Sequence, residues 1–513
     1  MTRLAELVET SRVVAGTSGR LDKIARLASL LERLAADEVE IAVAFLSGSL
    51  RQGRIGVAGA TVAAARSVSP AAAPTLELKD VDASFARMAA MSGSGTATAK
   101  AEALRDLVGR APGDERDFII RLLFGELRQG ALEGVLAEAI ARAAGVPADR
   151  VRRAAMFAGA LAPVALAALV ERDRDLSRFT IRLFHPIQPM LADSADDVDE
   201  ALSELGEAAL EYKIDGARIQ VHKGAGEVRV FTRNLREVTA GVPEIVESVR
   251  RLPARELVLD GEAIALGSGQ RPEPFQVTMR RFGRKLDVER MRQALPLAPF
   301  FFDCLYLDGD ALVDEPYARR ARTLSELAPP EALVPRLVTS DSNQARAYFE
   351  RAVQTGHEGV MAKAVNGLYA AGRRGHAWLK VKRARTLDLV ILAAEWGHGR
   401  RRGTLSNLHL GARDAESGGF VMLGKTFKGL TDEMLSWQTK KLLELEISRD
   451  AYTVYVRPEL VVEVAFNDVQ ESPTYSGGLA LRFARVKRYR SDKTAQDADT
   501  FSTVQDIHRL SLA

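Results

Sequence analysis

A chain of 513 residues exceeds what one hydrophobic core organises, because single cores stop growing near about 250–300 residues, so two to four domains are expected. Its 47% hydrophobic and 27% charged residues are the balance of an ordinary globular protein. A formal net charge of only +3, beside a pI near 8.8, means that affinity for anions must come from local clusters.

The single cysteine, Cys304, excludes an internal disulfide and a four-cysteine zinc site and fits a reducing compartment such as the cytosol. The opening stretch MTRLAELVETSRVVAG mixes acidic with apolar residues and is no secretory signal. Ile24, Leu27, Leu31 and Leu34 recur on one helix face, Asp37 offers the N-cap of a second helix, and Gly48 ends it. The same periodicity returns over 99–110, 114–124, 131–144 and 151–170, between loops such as SPAAAPT (69–75) and SGSGTAT (92–98). The first third therefore reads as all-helical. Its Ala-rich stretch from Ala154 to Val170 is at the short limit for a membrane span and contains Gly159 and Pro163, so it reads as a buried helix followed by a turn.

The run HPIQPMLADSADD (185–197), with two prolines and an acidic tail, marks a boundary. Beyond it lie strand patterns, ARIQVHK, VRVFTR, ELVLDGEAIAL and FFFDCLYL, with helical segments at 243–252, 286–293, 316–327 and 342–355. This is an α+β pattern, ending near 384. The remainder alternates LDLVILAAEW, FVMLGKTF, YTVYV, LVVEVAF and LRFARVKRY with one helix at 431–446, the count of a small Greek-key β-barrel of the oligonucleotide-binding (OB-fold) type, which other small barrels share. The expected domains are 1–185, 186–384 and 385–513.

The densest chemistry is Lys213-Ile-Asp-Gly-Ala-Arg218, preceded by Glu211. A lone lysine here would read as a solvated strand end. An amine nucleophile needs a depressed pKa, which burial near other cations supplies, and Asp-Gly makes a turn that brings backbone and Arg218 towards a phosphate. Downstream follow Thr232-Arg233, a strand-end triplet Asp260-Gly261-Glu262, Phe302-Asp303, Glu358 to Lys363, and Trp378-Leu-Lys380-Val-Lys382. Lys380 and Lys382 alternate on one face of a strand, with Leu379 and Val381 on the other, an arrangement that repels itself unless an anion is held there. Lys363 and Arg374 add positive charge, and Glu262 and Glu358 offer oxygen ligands suited to Mg²⁺. Taken singly, Asp-Gly-Glu would read as a hairpin turn, Phe302 as core as readily as a stacking face, and the lysine pair as a solvated edge. Together they describe a nucleoside triphosphate site.

In order and spacing these six blocks resemble the ATP-dependent DNA ligases, within the covalent nucleotidyltransferase superfamily that also holds RNA ligases and capping enzymes. The resemblance implies that Lys213 attacks the α-phosphate of ATP to form lysyl-AMP, and that Glu211 helps recognise adenine. Arg218 and Arg233 would contact sugar and phosphates and later the nick phosphate. Glu262 would bind the ribose and a metal, Phe302 would stack on adenine, and Glu358 would serve the metal. Arg374 and Lys380 would meet the α-phosphate, with Lys363 and Lys382 supporting the phosphate pocket.

From Leu481 to Lys493 there are six basic residues and one acid, resembling the family's last motif, in which Arg490 and Lys493 would orient the β- and γ-phosphates. Phe118 to Gly130 resembles the central signature of the helical DNA-binding domain, with Arg121 and Arg128 adding charge that reads no sequence; Pro189 to Ala192 is similar to these ligases as well. The implied partners are nicked duplex DNA, ATP and Mg²⁺, with no membrane, for a monomer that encircles DNA in the cytoplasm, on the nucleoid if the source is prokaryotic. Such sealing serves replication, repair and recombination alike. An NAD-dependent ligase is disfavoured by the single cysteine. An RNA ligase or capping-type transferase is disfavoured by the helical first third, and a non-catalytic DNA-binding scaffold by the presence of Lys213, Glu262, Glu358 and Lys380.

Overall fold

The computed structural model describes residues 2–512 apart from 54, 66, 126, 128–132, 268–271, 274, 283–286, 372, 373, 384, 399 and 400. Contacts group the chain into two compact units, residues 1–348 with 361–380, and residues 349–360 with 381–513.

The first unit opens with helices. Leu4–Gly16, Arg20–Leu31, Val39–Leu46, Leu78–Ala90, Thr96–Gly109, Gly113–Phe124, Glu133–Ala144 and Ala148–Ala158 turn their apolar faces into one core that includes Leu7, Leu27, Phe45, Phe85, Phe118 and Ile140. The spacing of Ile24, Leu27 and Leu31 buries all three, as an amphipathic helix requires. Asp37 does not cap the second helix. It sits inside a 3₁₀ turn, Ala36–Glu38, and pairs with Lys79, while the buried Glu38 carboxylate accepts the N–H of Ala35 (3.2 Å) and the N–H and hydroxyl of Thr2 (both 2.7 Å). The helix then starts at Val39. The Ala-rich stretch divides at Gly159 (φ 74°) into Ala148–Ala158 and Leu161–Ala165, followed by a π-turn, Leu166–Val170. Among the described residues no helix is long and apolar enough to cross a membrane.

Two sheets follow. One takes β1 (Leu191–Ser194), β2 (Ala208–Tyr212), β8, β9 and β10; the other takes β3 (Ala217–Gly224), β4 (Glu227–Thr232), β5 (Leu257–Ala265), β6 (Leu297–Leu307) and β7 (Asp310–Ala311) in the order β4-β3-β5-β6-β7. In the first sheet β8 (Arg336–Thr339), β9 (Gly359–Ala364) and β10 (Arg374–Lys382) give the order β1-β10-β9-β2-β8. Helices Pro243–Arg250 and Tyr317–Leu327 lay Ile245, Val249 and Leu324 over Val221, Val230, Leu259 and Phe301 of the second sheet. The Asp-Gly-Glu triplet, expected at a strand end, lies in the middle of β5. A Cβ on Gly261 would come within 2.9 Å of the Phe300 carbonyl, and the β5–β6 register shifts at that point.

Met156 and Phe157 from the helical region pack with Ile187, Met190, Tyr369 and Trp378, and the Gln188 N–H donates to the Met156 carbonyl at 2.9 Å. The expected boundary at 185/186 thus falls inside the first unit.

The second unit is β-rich. It contains β11 (Arg385–Trp396), β12 (Leu405–Arg413), β13 (Phe420–Thr426), β14 (Glu446–Arg449), β15 (Thr453–Val456), β16 (Val461–Phe466), β17 (Asp468–Glu471), β18 (Leu479–Arg482) and β19 (Arg485–Tyr489), with the expected helix at Asp432–Glu444 and a further one, Phe501–Leu512, that packs Val504 into the same core. The order β13-β12-β11-β15-β14, with β16 pairing β11 and β19, makes a seven-stranded sheet; β17 and β18 form a separate hairpin. Among the described residues these pairings form a bent sheet and no closed barrel is found, while the Val486 N–H of β19 donates to the Lys428 carbonyl just beyond β13 at 3.0 Å. β11 bends because its first half pairs with β16 and its second half with β15. The single strand expected over 481–489 is two strands, because Phe483 adopts a left-handed φ of 58°.

Candidate active site

The site is built on the step from β2 to β3. β2 ends at Tyr212, and Lys213, half-buried, opens the turn that leads into β3 at Ala217. Ile214 anchors the turn in a small apolar cluster with Ile264 and Val334. The turn lies directly on β5: a Cβ on Gly216 would stand 2.4 Å from Ile264 Cγ2 and 2.5 Å from the Ala263 carbonyl. Glycine is needed here for close approach. In the antiparallel register that follows, Arg218 is the partner of Glu262.

Arg218 is tightly held. Its Nη1 donates to the Met190 carbonyl at 2.6 Å, and its Nη2 donates to Asp260 Oδ2 at 2.8 Å and, more weakly, to the Tyr369 hydroxyl oxygen at 3.4 Å. The Tyr369 hydroxyl donates to the same Asp260 oxygen at 2.6 Å and accepts the Met190 N–H at 3.0 Å; Gln220 Nε2 donates to the other Asp260 oxygen at 3.1 Å. Burial, and then the Asp260 charge, hold the Tyr369 phenol far above its ordinary pKa, so it stays a donor. The Arg218 guanidinium lies over the rings of Phe302 (5.4 Å) and Trp378 (5.8 Å), and its Nε is buried without a hydrogen-bond partner among the described residues.

A second buried knot lies under the strand end that precedes Lys213. The Lys363 ammonium, 1% exposed, meets Glu211 Oε2 at 2.5 Å and donates to the Phe302 carbonyl at 3.1 Å, with the rings of Trp378, Phe302 and Tyr317 at 4.3, 4.6 and 4.8 Å. Glu211 also accepts from Arg336 Nε at 3.2 Å and from the Tyr317 hydroxyl. Burial lowers the Lys363 pKa, with Glu211 opposing. Lys363, expected in a phosphate pocket, has its charge neutralised by Glu211 among aromatic rings. The Glu211 side chain, expected near adenine, is occupied by Lys363, Arg336 and Tyr317.

The Phe302-Asp303 block divides its two residues. Phe302 is half-buried and edge-on to Trp378 at 6.0 Å, whereas Asp303 is fully buried in a bidentate pair with Arg320 at 2.8 and 3.2 Å. Next to them burial pushes the Cys304 thiol up to about 12, which removes it as a nucleophile. Glu262 is half-buried on β5, and Arg233 stands exposed beyond the end of β4. Lys380 is half-buried on the β10 face that carries Trp378, while Leu379 and Val381 are buried on the other face. Arg374 opens β10, and its side chain lies outside the described residues, as does Arg128. Arg121 is exposed on Gly113–Phe124.

The second unit holds the remaining expected residues. Lys382 and Glu358 pair at 2.8 Å. Arg490 and Lys493 converge on one oxygen of Asp388, at 2.8 and 2.6 Å, and Arg490 also grips Asp492 through two bonds of 2.8 and 2.6 Å. Two cations and two carboxylates cancel there. Among the described residues no three carboxylate, histidine or cysteine side chains are grouped so as to hold a metal by themselves.

Reading the sequence overlooked Tyr369, Arg336, Tyr317 and the Met190 backbone. Trp378 had a signal, as the aromatic heading the Lys380 block; Tyr369, alone in NGLYAAG, had none.

Three family descriptions match in succession: the DNA ligase N terminus over 52–141, the ATP dependent DNA ligase domain over 189–382, and the ATP dependent DNA ligase C terminal region over 401–493. A protein described as a probable DNA ligase from Anaeromyxobacter sp. (strain Fw109-5) is 61% identical across 100% of this chain and 99% of its own. Another so described, from Sorangium cellulosum (strain So ce56), is 56% identical over 99% of this chain and 96% of its own. The solved structure titled Pmar-Lig_PreS3 shares the fold at a TM-score of 0.63 and 19% identity, covering 94% of this chain and 99% of that one. The chain belongs to the ATP-dependent DNA ligase family.

Proposed function

We propose that this protein seals nicks in duplex DNA at the expense of ATP, through AMP held covalently on Lys213. The observation that carries the reading is the Lys213 turn seated on β5, with Arg218 locked beside Glu262 and Phe302 presenting a half-buried ring. The Lys213 amine attacks the α-phosphorus of ATP; a P–N bond forms and the P–O bond to pyrophosphate breaks. AMP then passes to the 5′-phosphate of the nick, and the 3′-hydroxyl displaces it as the phosphodiester forms. Each step is a displacement at phosphorus, which needs positioned charge more than acid–base groups.

Arg218 and Arg233 contact the nucleotide's sugar and phosphates and later the nick phosphate, Phe302 stacks on adenine, and Arg374, Lys380 and Lys382 face phosphate. Lys363 and Glu211 support the Phe302 face from below. Arg490 and Lys493 serve the β- and γ-phosphates. Glu262, with Glu358 as the further carboxylate, suits Mg²⁺, which takes one or two carboxylates and completes its shell with phosphate oxygens and water; a grouped three-ligand cage is not required. When bound, the ion neutralises phosphate charge. Residues 1–185 form a DNA-binding domain, 186–384 the adenylation domain and 385–513 an OB-fold domain, in a monomer that encircles duplex DNA.

Incubated with α-labelled ATP and Mg²⁺, the protein is expected to become covalently labelled, and Lys213→Ala to take up no label. Persistent labelling of Lys213→Ala would refute the assignment. Labelling by GTP in place of ATP would move the protein to the capping branch.

A further inference from the structure

We infer that Tyr369 is the positioning residue for Arg218, a role that rests on the ligase reading above. Four groups close a ring of hydrogen bonds: Arg218 to the Met190 carbonyl (2.6 Å), the Met190 N–H to the Tyr369 hydroxyl (3.0 Å), that hydroxyl to Asp260 Oδ2 (2.6 Å), and Arg218 to the same Asp260 oxygen (2.8 Å). Tyr369 is the member that joins the backbone before β1 to the carboxylate on β5. The arginine thus has its plane set at two ends, by a carbonyl and a carboxylate that the phenol holds together. Cyclic networks of this kind reinforce each other in a low-dielectric interior.

The hydroxyl and the ring do separate work. The Tyr369 ring packs edge-on to Trp378 at 6.0 Å, as Trp378 does to Phe302, so its location is set by aromatic packing. Replacing tyrosine by phenylalanine keeps that packing and removes only the oxygen. Asp260 Oδ2 then loses one of its two strong donors, and the buried Met190 N–H loses its acceptor. Asp260 is then held only by Gln220 on its other oxygen (3.1 Å) and by Arg218 itself, so the direction of the Arg218 fork is less narrowly set. A guanidinium that recognises phosphate through a fixed fork is sensitive to such a loss. Tyr369 touches neither nucleotide nor nick in this scheme and acts through Arg218.

The test is single-turnover AMP transfer from pre-adenylated protein to the 5′-phosphate of a nicked duplex. Tyr369→Phe is expected to slow it about tenfold, with nick affinity unchanged. In an Arg218→Ala background the same change is expected to alter the rate less than about twofold, because a residue acting through an absent arginine has nothing to act on. An unchanged rate in Tyr369→Phe, or a further tenfold loss in the Arg218→Ala background, overturns the inference. So does loss of the melting transition in Tyr369→Phe, which would make the phenol a structural group. Failure of the wild-type protein to self-label is a different result: it refutes the ligase reading itself.

Discussion

The helical and α+β regions of the first unit bury charge in different ways. Among the helices, Glu38 is satisfied by backbone and hydroxyl donors and Lys100 by the Ile55 carbonyl (2.7 Å), while Glu115, 2% exposed, has no hydrogen-bond partner for either carboxyl oxygen among the described residues. In the α+β region buried charges come as opposite pairs: Asp303 with Arg320, Glu211 with Lys363, Asp260 with Arg218, and Glu244 with Arg281. A buried ion pair contributes little net stability, since desolvation offsets its attraction, but it holds two side chains in one orientation. The contrast teaches that orientation is specified at the expected site of phosphate chemistry, and that the helical region relies on apolar packing.

The contrast breaks most severely at Asp303. Asp303→Asn leaves Arg320 charged and 0% exposed without its counter-charge, and about 3–5 kcal/mol of stability should be lost in urea denaturation. A loss under about 1 kcal/mol would mean that the pairs are not what orders this region.

Gly216→Ala asks whether the turn itself must be rigid. Its Cβ would stand 2.4 Å from Ile264 and 2.5 Å from a β5 carbonyl, so about 1–3 kcal/mol of overpacking is expected, with self-adenylation slowed by about tenfold or more. Wild-type self-adenylation in that variant would show that the Lys213 turn tolerates displacement.

The smallest effect is a gain. Burial raises the Glu115 carboxyl to about 7 from an ordinary 4.5, with Arg3 opposing. Between those values the folded state holds a proton that the unfolded chain has released, so stability falls as pH rises through this window and stays lowered above it. Glu115→Gln should therefore stabilise the protein at pH 8 by roughly 1–2 kcal/mol and by almost nothing below pH 4.5. Calorimetry at the two pH values decides it; equal gains at both would place the carboxylate in contact with solvent.

Much of the architecture was legible because it follows from local rules. The period of Ile24, Leu27 and Leu31 wrote the first core, Gly159 broke the Ala-rich stretch where it had to, β-branched runs marked β3, β5 and β11, and an aromatic run marked β6. What escaped was decided by partners distant in sequence. Asp37 has the chemistry of a cap, but Glu38 won the position because Thr2 and Ala35 offer it three donors in a buried pocket. β8 and β14 are four-residue edge strands, too short for an alternating pattern to register. Counting strands foretold the β-rich C-terminal end, but a count does not say which edges meet.

By itself, then, the sequence determined the family, through an ordered set of short blocks whose spacing chance does not reproduce, and with it the candidate nucleophile, Lys213. Only the tertiary structure decided which charges in those blocks are taken up by counter-charges inside the protein. Lys363 and Asp303 sit in motifs as prominent as those of Lys213 and Glu262, yet they are neutralised inside the protein by Glu211 and Arg320, over 100 residues away in one case and 17 in the other. The reason is physical: a charge taken out of water needs compensating partners, and for Lys363 and Asp303 those are counter-charges chosen by where the strands and helices meet.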